Sequence, residues 1–309
     1  MNFKEYLQRS GKSKSTVEHY YSYIIDFIEY VSRDNPGVEI ADAKEVMNYL
    51  NYLQRKGQEA KTRSIRLNVI KQYFEWQINQ GIRADNPIAH LKIRGSKSRK
   101  LYPILSKEAL EALYTGYTIP DENHEKVKCN WFETYQKSRQ RNKAILSLLI
   151  HQGLTTAEIG RLEMKDLKLK EGQIYIGGSR KSNERTIELK SKQIIELMEY
   201  QYQVRAEIIK ERKEETIDKL FLSSGSVGSK KASDKLHIWK GFTKELKKQD
   251  SRFINFQQLR GSVISHWLKQ YNLREVQYRA GHRYVSSTES YLVNNTEDLQ
   301  ADIDQYHPF

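Results

Sequence analysis

Residues 257–292 read QQLRGSVISHWLKQYNLREVQYRAGHRYVSSTESYL. Three short runs in this stretch carry chemistry: Gln257-Gln258-Leu259-Arg260, Ala280-Gly281-His282 and Ser290-Tyr291-Leu292. Arg260, in a helical setting, can present a planar fork to two phosphate oxygens. His282, after a small-residue turn, can donate a hydrogen bond or move a proton. Tyr291, nine residues on, offers a phenol that is a weak nucleophile at its ordinary pKa of about 10 unless its oxyanion is stabilised. The three together form a phosphate-binding and nucleophile set.

The rest of the chain supplies a reason for phosphate to matter. Among 309 residues, 52 are Lys or Arg and 39 are Asp or Glu, a net charge of +13. An excess of this size favours a polyanionic partner, because each neutralised phosphate releases condensed counterions. The length allows two domains with separate cores. Cys129 is the one cysteine, which excludes an intramolecular disulfide and a thiolate metal cluster and fits a reducing interior. No stretch approaches the ~18–20 apolar residues of a membrane span, and the N-terminus lacks an apolar signal-peptide core. A cytoplasmic, nucleoid-associated protein with no membrane contact is expected.

Helical periodicity dominates the first ninety residues. Ser15 with Glu18 is expected to cap a helix bearing Val17, Tyr20, Tyr21, Ile24, Phe27, Ile28 and Val31. Asp42 with Glu45 opens another, carrying Val46, Tyr49, Leu50 and Leu53. A third runs from about Thr62 to Gln80 with Ile65, Val69, Ile70, Tyr73, Phe74 and Ile78 on its apolar stripe. Most of these aromatics read as core rather than as base-stacking platforms. Lys92, Arg94, Lys97, Arg99 and Lys100 then put five cations in a Gly- and Ser-containing run, a solvated linker able to lie along a phosphate backbone. This divides the chain into a helical domain at 1–91, a basic linker at 92–103 and a second domain at 104–309. In the second domain the one clear β signal is Gln173–Gly177 followed by Arg185–Leu189, joined by Gly178-Ser179-Arg180-Lys181-Ser182-Asn183. Helices are expected near 137–151, 194–213 and 234–248 and around Arg260. The fold class is mainly α with a small β-sheet.

Taken singly, each candidate is ordinary: the chain has 20 tyrosines, and an arginine on a helix or a lysine on a hairpin usually faces water. The ordered set is what resembles the tyrosine recombinases of the phage integrase family. Leu259-Arg260-Gly261, Ala280-Gly281-His282 and Ser287-Thr288-Glu289-Ser290-Tyr291 match that pattern, and GGSRKSNERTIEL resembles the family's catalytic-lysine hairpin. The register there is open between Arg180 and Lys181; Lys181 is favoured as the acid because arginine is too basic to release a proton. The resemblance covers nearly the whole chain. It implies a two-domain DNA clamp, a helical SAM-like core-binding domain plus a mixed α/β catalytic domain. Its implied activity is cutting and rejoining DNA through a 3′-phosphotyrosyl link at Tyr291, as the integrase of a mobile element. It implies no cofactor. Its implied partners are double-stranded DNA with inverted-repeat core sites, a homodimer on one site, a homotetramer in the synapse, and accessory DNA-bending proteins.

Two positions depart from the family pattern. Thr155, in Gly153-Leu154-Thr155-Thr156-Ala157-Glu158, stands where the family has arginine, and Gln257 stands where it has histidine. Thr155 with Glu158 reads as a capping box, and Glu158 matches a supporting acidic position. Gln257 can hydrogen-bond a phosphate oxygen but carries no proton at neutral pH. Arg161 and Arg180 are the candidates nearest in sequence for a replacement cation. Slow or accessory-dependent catalysis, and a DNA-binding regulator that has lost catalysis, stay open, as does a type IB topoisomerase-like activity. Leu299, Ile303 and Tyr306, at helical spacing in the last segment, pack either on their own domain or on a neighbouring protomer.

Overall fold

The computed structural model describes residues 2–33, 41–95, 102–121, 123, 127–212, 217–223 and 236–292. The C-terminal segment with Leu299, Ile303 and Tyr306 lies outside them, as do Lys97, Arg99 and Lys100 of the basic run. The chain divides into two compact units, residues 1–100 and 101–309.

The first unit is built from α1 (Phe3–Arg9), α2 (Lys14–Val31), α3 (Ala43–Arg55) and α4 (Ala60–Asn79). Asn2 and Glu5 cap α1 reciprocally, as Asp42 and Glu45 cap α3. The α2 cap is Ser13, whose hydroxyl accepts from the Thr16 amide at 3.2 Å, and not the expected Ser15. Ser13 is the first hydroxyl after the Gly11 turn, and it starts the helix two residues early. On α3 the expected stripe of Val46, Tyr49, Leu50 and Leu53 is buried. On α4 the stripe is rotated: Ile65 is 38% exposed, and Arg66 and Leu67 turn inward. Arg66 is held there by polar partners, donating to the Tyr49 hydroxyl at 2.7 Å and to Asp26 Oδ2 at 2.8 Å. A buried arginine is tolerated when paired, and this one ties α4 to α2 and α3. The aromatics pack on one another, Phe27 edge-on to Tyr49 at 5.2 Å and Phe3 to Tyr73 at 5.1 Å.

The second unit contains α5 (Lys107–Thr115), α6 (Phe132–His151), α7 (Thr156–Ile159), β1 (Leu167–Lys168), β2 (Gln173–Ile176), β3 (Arg185–Glu188), α8 (Ser191–Glu199), α9 (Arg205–Arg212), α10 (Trp239–Gln249), α11 (Phe256–Leu268), α12 (Leu273–Ala280) and α13 (Val285–Glu289). A π-helical turn, Tyr200–Val204, joins α8 to α9. The strands form one antiparallel sheet in the order β1-β2-β3, with Ile174 opposite both Leu167 and Ile187. The two-residue β1 is too short to carry a period-2 signal, which is why the sequence shows only the hairpin. Helix α6 begins at Phe132, earlier than the expected 137, because Lys137 and Arg141 on its polar first half are buried. Lys137 pairs with Glu133 at 2.7 Å and Glu207 at 3.2 Å.

Helix α11 runs through this core with Leu259, Val263, Ile264 and Trp267 buried. The segment leading into α5 is laced to it. Gln258 Nε2 donates to the Pro103 carbonyl at 3.0 Å, and the Leu105 amide donates to Ser262 Oγ at 2.9 Å. Gly153 has φ +59°, and a Cβ there would stand 3.1 Å from Trp267 Cη2. The turn between α6 and α7 is thereby pressed onto α11, two helical turns from Arg260. No helix of the described residues is long and apolar enough to cross a membrane.

Two stability measurements follow from these contacts. Phe27→Ala should lower unfolding free energy by ~3–5 kcal/mol in urea titrations, the usual cost of deleting a buried aromatic ring; a loss under about 1 kcal/mol would contradict its central place. His151, at the end of α6, is held neutral: burial, then the Lys190 and Lys192 charges, pull its pKa from 6.5 to about 4. The unfolded chain takes up a proton as pH falls below 6.5 and the buried ring does not, so stability is full above that value and declines toward pH 4. His151→Gln should flatten that decline; an unchanged pH slope would contradict the assignment.

Candidate active site

Glu158 sits on the one-turn helix α7 and is 3% exposed. Thr155 caps this helix as expected: its Oγ1 accepts from the Glu158 amide at 3.1 Å, while the Thr155 amide and hydroxyl donate to Glu158 Oε2 at 2.8 and 2.9 Å. The position that departs from the family pattern is therefore occupied in fixing the carboxylate. The other oxygen, Oε1, accepts from Arg185 Nη1 at 2.7 Å, and Arg260 Nη1 lies 3.7 Å from Oε2. Burial alone would raise the Glu158 pKa. The Arg185 hydrogen bond and charge, then Arg260 and the Thr155 amide, outweigh it and hold the carboxyl at about 2.

Arg260 projects from the second turn of α11. Nη1 donates to the Gly153 carbonyl and Nη2 to the Ala280 carbonyl at 2.7 Å, so the loop before α7 and the last residue of α12 both fix its plane. Burial pulls its pKa down; Glu158 and the Tyr291 hydroxyl oppose this, while the Arg185 charge adds to it. The guanidinium remains charged at neutral pH.

His282 follows Gly281, which closes α12 with φ +66°. Its Nε2 lies 3.3 Å from Arg260 Nη2 and its Nδ1 lies 2.8 Å from Thr288 Oγ1. Arg260 can only donate, so Nε2 accepts and the proton sits on Nδ1, facing Thr288. Tyr291 comes just after α13. Its ring lies parallel to the His282 ring, with centroids 5.8 Å apart and planes 8° apart, and its hydroxyl interacts with the Arg260 guanidinium. The ring edge packs by Gly261, where a Cβ would meet Tyr291 Cε1 at an ordinary contact distance of 3.7 Å.

The β2–β3 turn is docked on this group through the backbone. Ser182 pairs with His282, and the Asn183 amide donates to the Gly281 carbonyl at 3.0 Å. Lys181 is the next residue along, exposed, with its amide on Ser179 Oγ at 3.2 Å. The structure thus gathers Arg260, His282 and Tyr291 and sets the Lys181 turn beside His282. Gln257 is exposed on the first turn of α11, three residues before Arg260 and so on its face. Arg161 is exposed past α7, with Lys219 Nζ donating to its carbonyl. Arg180 is exposed on the hairpin turn, its carbonyl accepting from Arg283 at 3.0 Å. Lys92 and Arg94 belong to the first unit, away from these residues in sequence.

Two residues of the group were not singled out from sequence. Thr288 is fully buried and gives no signal of its own. Arg185 had one: Ile187 and Leu189 are buried, and period-2 alternation puts Arg185 on the same inward face. A charged residue at an inward strand position calls for a buried partner, and Glu158 is that partner.

Residues 123–298 match the phage integrase family, and residues 1–83 match the phage integrase N-terminal SAM-like domain. The tyrosine recombinase XerD of Oceanobacillus iheyensis is 28% identical over 96% of this chain and 94% of its own. The tyrosine recombinase XerC of Natranaerobius thermophilus is 26% identical over 100% and 98%. Among solved structures, the XerH site-specific recombinase bound to a palindromic difH substrate aligns with TM-score 0.67 at 18% identity, over 94% of this chain and 80% of that one. A lambda integrase tetramer bound to a Holliday junction aligns with TM-score 0.58 at 16% identity, over 93% and 74%. The mainly helical architecture with its small sheet is thus that of DNA-bound recombinases, and the chain belongs to the phage integrase family of tyrosine recombinases.

Proposed function

We propose that this protein is a site-specific DNA recombinase that cuts and rejoins duplex DNA through a 3′-phosphotyrosyl intermediate, serving as the integrase of a mobile element. The observation that carries the reading is the Tyr291 ring, parallel to His282, with its hydroxyl at the Arg260 guanidinium. A phosphodiester seated on Arg260 would meet the phenol oxygen and a fixed cation at once.

In this mechanism the Tyr291 oxygen attacks phosphorus and the bond to the 5′ oxygen breaks. His282, beside the Tyr291 ring, takes the phenolic proton on Nε2 once the phosphate draws Arg260 off that nitrogen, and Lys181 supplies a proton to the leaving 5′ oxygen. Arg260 holds the non-bridging oxygens while negative charge builds, and Gln257 donates to one of them. A 5′-hydroxyl from the partner strand then attacks the phosphotyrosine and regenerates the phenol. The bond count is conserved, so the cycle needs no cofactor. The helical first unit and the basic run from Lys92 would grip the duplex backbone. The lambda integrase relatives are described as a dimer on a core site and a tetramer on a Holliday junction; the same assembly, with two protomers on an inverted repeat and four in the synapse, is proposed for this chain.

A regulator that binds DNA without cutting it is the second reading, favoured by the use of Thr155 as a helix cap where the family has arginine.

Incubating the protein with nicked fragments of DNA from its own genome, stopping with SDS and sequencing the covalently held DNA separates the two. Recombination predicts adducts at one inverted repeat, absent with Tyr291→Phe. Adducts that persist in Tyr291→Phe would remove Tyr291 as nucleophile. Tight DNA binding with no adduct would favour the regulator. On the same DNA, Lys181→Ala should slow cleavage by ~10²–10⁴-fold, the range of a general acid, and a 5′-phosphorothiolate at the scissile bond, whose thiolate leaves without a proton, should recover most of that loss. A Lys181→Ala variant that cleaves normally would remove it from the role.

A further inference from the structure

Glu158 and Arg260 approach within 3.7 Å inside a site that excludes most water. Left to themselves the two charges would cancel, and a singly charged phosphodiester would meet a nearly neutral pocket. A third charge changes this. The Arg185 side chain is fully buried, and its Nη1 donates to the Glu158 oxygen that does not face Arg260. We infer that Arg185 is a positioning residue for strand cleavage: it neutralises and orients Glu158, so that Arg260 keeps a net positive charge for the scissile phosphate. The inference rests on the proposed recombinase reading and identifies where this chain finds the cation that Thr155 does not provide.

Four features support it. Nε and Nη2 of Arg185 have no hydrogen-bond partner among the described residues. Burying a guanidinium with unused donors is costly for stability, so simple core packing is a poor account of it. Gly281 fits the guanidinium closely: a Cβ there would lie 2.3 Å from Nη1 and 2.9 Å from Cζ. The guanidinium is therefore wedged against the turn that carries His282. Through β3 it also continues into the hairpin whose Asn183 amide donates to Gly281. One side chain thus links the carboxylate, the histidine turn and the Lys181 hairpin. Finally, Arg161 and Arg180, the cations nearest in sequence, are exposed, whereas Arg185 meets Glu158 directly. The low Glu158 pKa, to which Arg185 contributes more than Arg260, agrees with this order.

The test uses the full chain and the DNA recovered by SDS trapping, with single-turnover cleavage, DNA affinity and thermal midpoint measured together. Arg185→Met should slow cleavage by ~10²–10³-fold, the scale of losing one preorganised charge or donor, with DNA affinity within about fivefold of wild type. Adding Glu158→Gln should recover cleavage by ~10-fold or more, because the carboxylate that cancels Arg260 is gone. A scissile methylphosphonate, which lacks the diester charge, should shrink the Arg185→Met defect below ~10-fold on the same scale. The double variant removes Arg185 and its carboxylate together and leaves Arg260 on its two backbone carbonyls, so it keeps the test decisive where Arg185→Met alone is unstable. Arg185→Met cleaving within about threefold of wild type would overturn the inference, as would a defect that neither Glu158→Gln nor the methylphosphonate relieves. Wild-type protein that binds this DNA and forms no adduct would instead overturn the recombinase reading beneath it.

Discussion

A carboxylate buried between two guanidiniums organises the second unit of this protein. Glu158 receives Arg185 on one oxygen and faces Arg260 with the other, and Thr155 donates twice to hold the second oxygen in place. Each element that carries a candidate catalytic group meets this cluster. Helix α11 brings Arg260, the end of α12 brings the turn before His282, and β3 brings Arg185 and the hairpin of Lys181. Removing the carboxylate would leave two buried positive charges facing each other, a more costly arrangement than any single lost hydrogen bond. The cluster is both a structural joint and the source of the charge balance at the site.

The rest of the site is aimed by neutral contacts. Arg260 is oriented by two backbone carbonyls, which fix its plane without consuming its charge. Thr288 fixes the His282 ring, Arg260 sets its tautomer, and the parallel Tyr291 ring lies against that fixed surface. Under the proposed function such preorganisation leaves little to move on phosphate binding, the condition under which buried dipoles and charges act most strongly.

Much of this was legible before the structure. The order Arg260, His282, Tyr291 marked residues that the fold brings together, and Thr155 with Glu158 marked the cap, because both signals depend on short motifs. The α3 stripe of Val46, Tyr49, Leu50 and Leu53 was legible for the same reason. What escaped depended on partners distant in sequence. Arg66 turns inward because Asp26 and Tyr49 await it, and that rotates α4 away from Ile65. Arg185 lies 27 residues from Glu158, and only the strand alternation hinted that it faced inward. Thr288 is one hydroxyl in a polar run, with nothing to mark it until His282 is placed against it.

One covalent bond decides whether Tyr291 is the nucleophile. Trapping the protein on its DNA, digesting both and sequencing the modified peptide by mass spectrometry would show which side chain holds the phosphate. The expected product is a nucleotide-linked peptide modified at Tyr291, with a free 5′-hydroxyl on the released strand. A nucleotide on any other residue, or a 5′-linked phosphate, would contradict the chemistry assigned to this site.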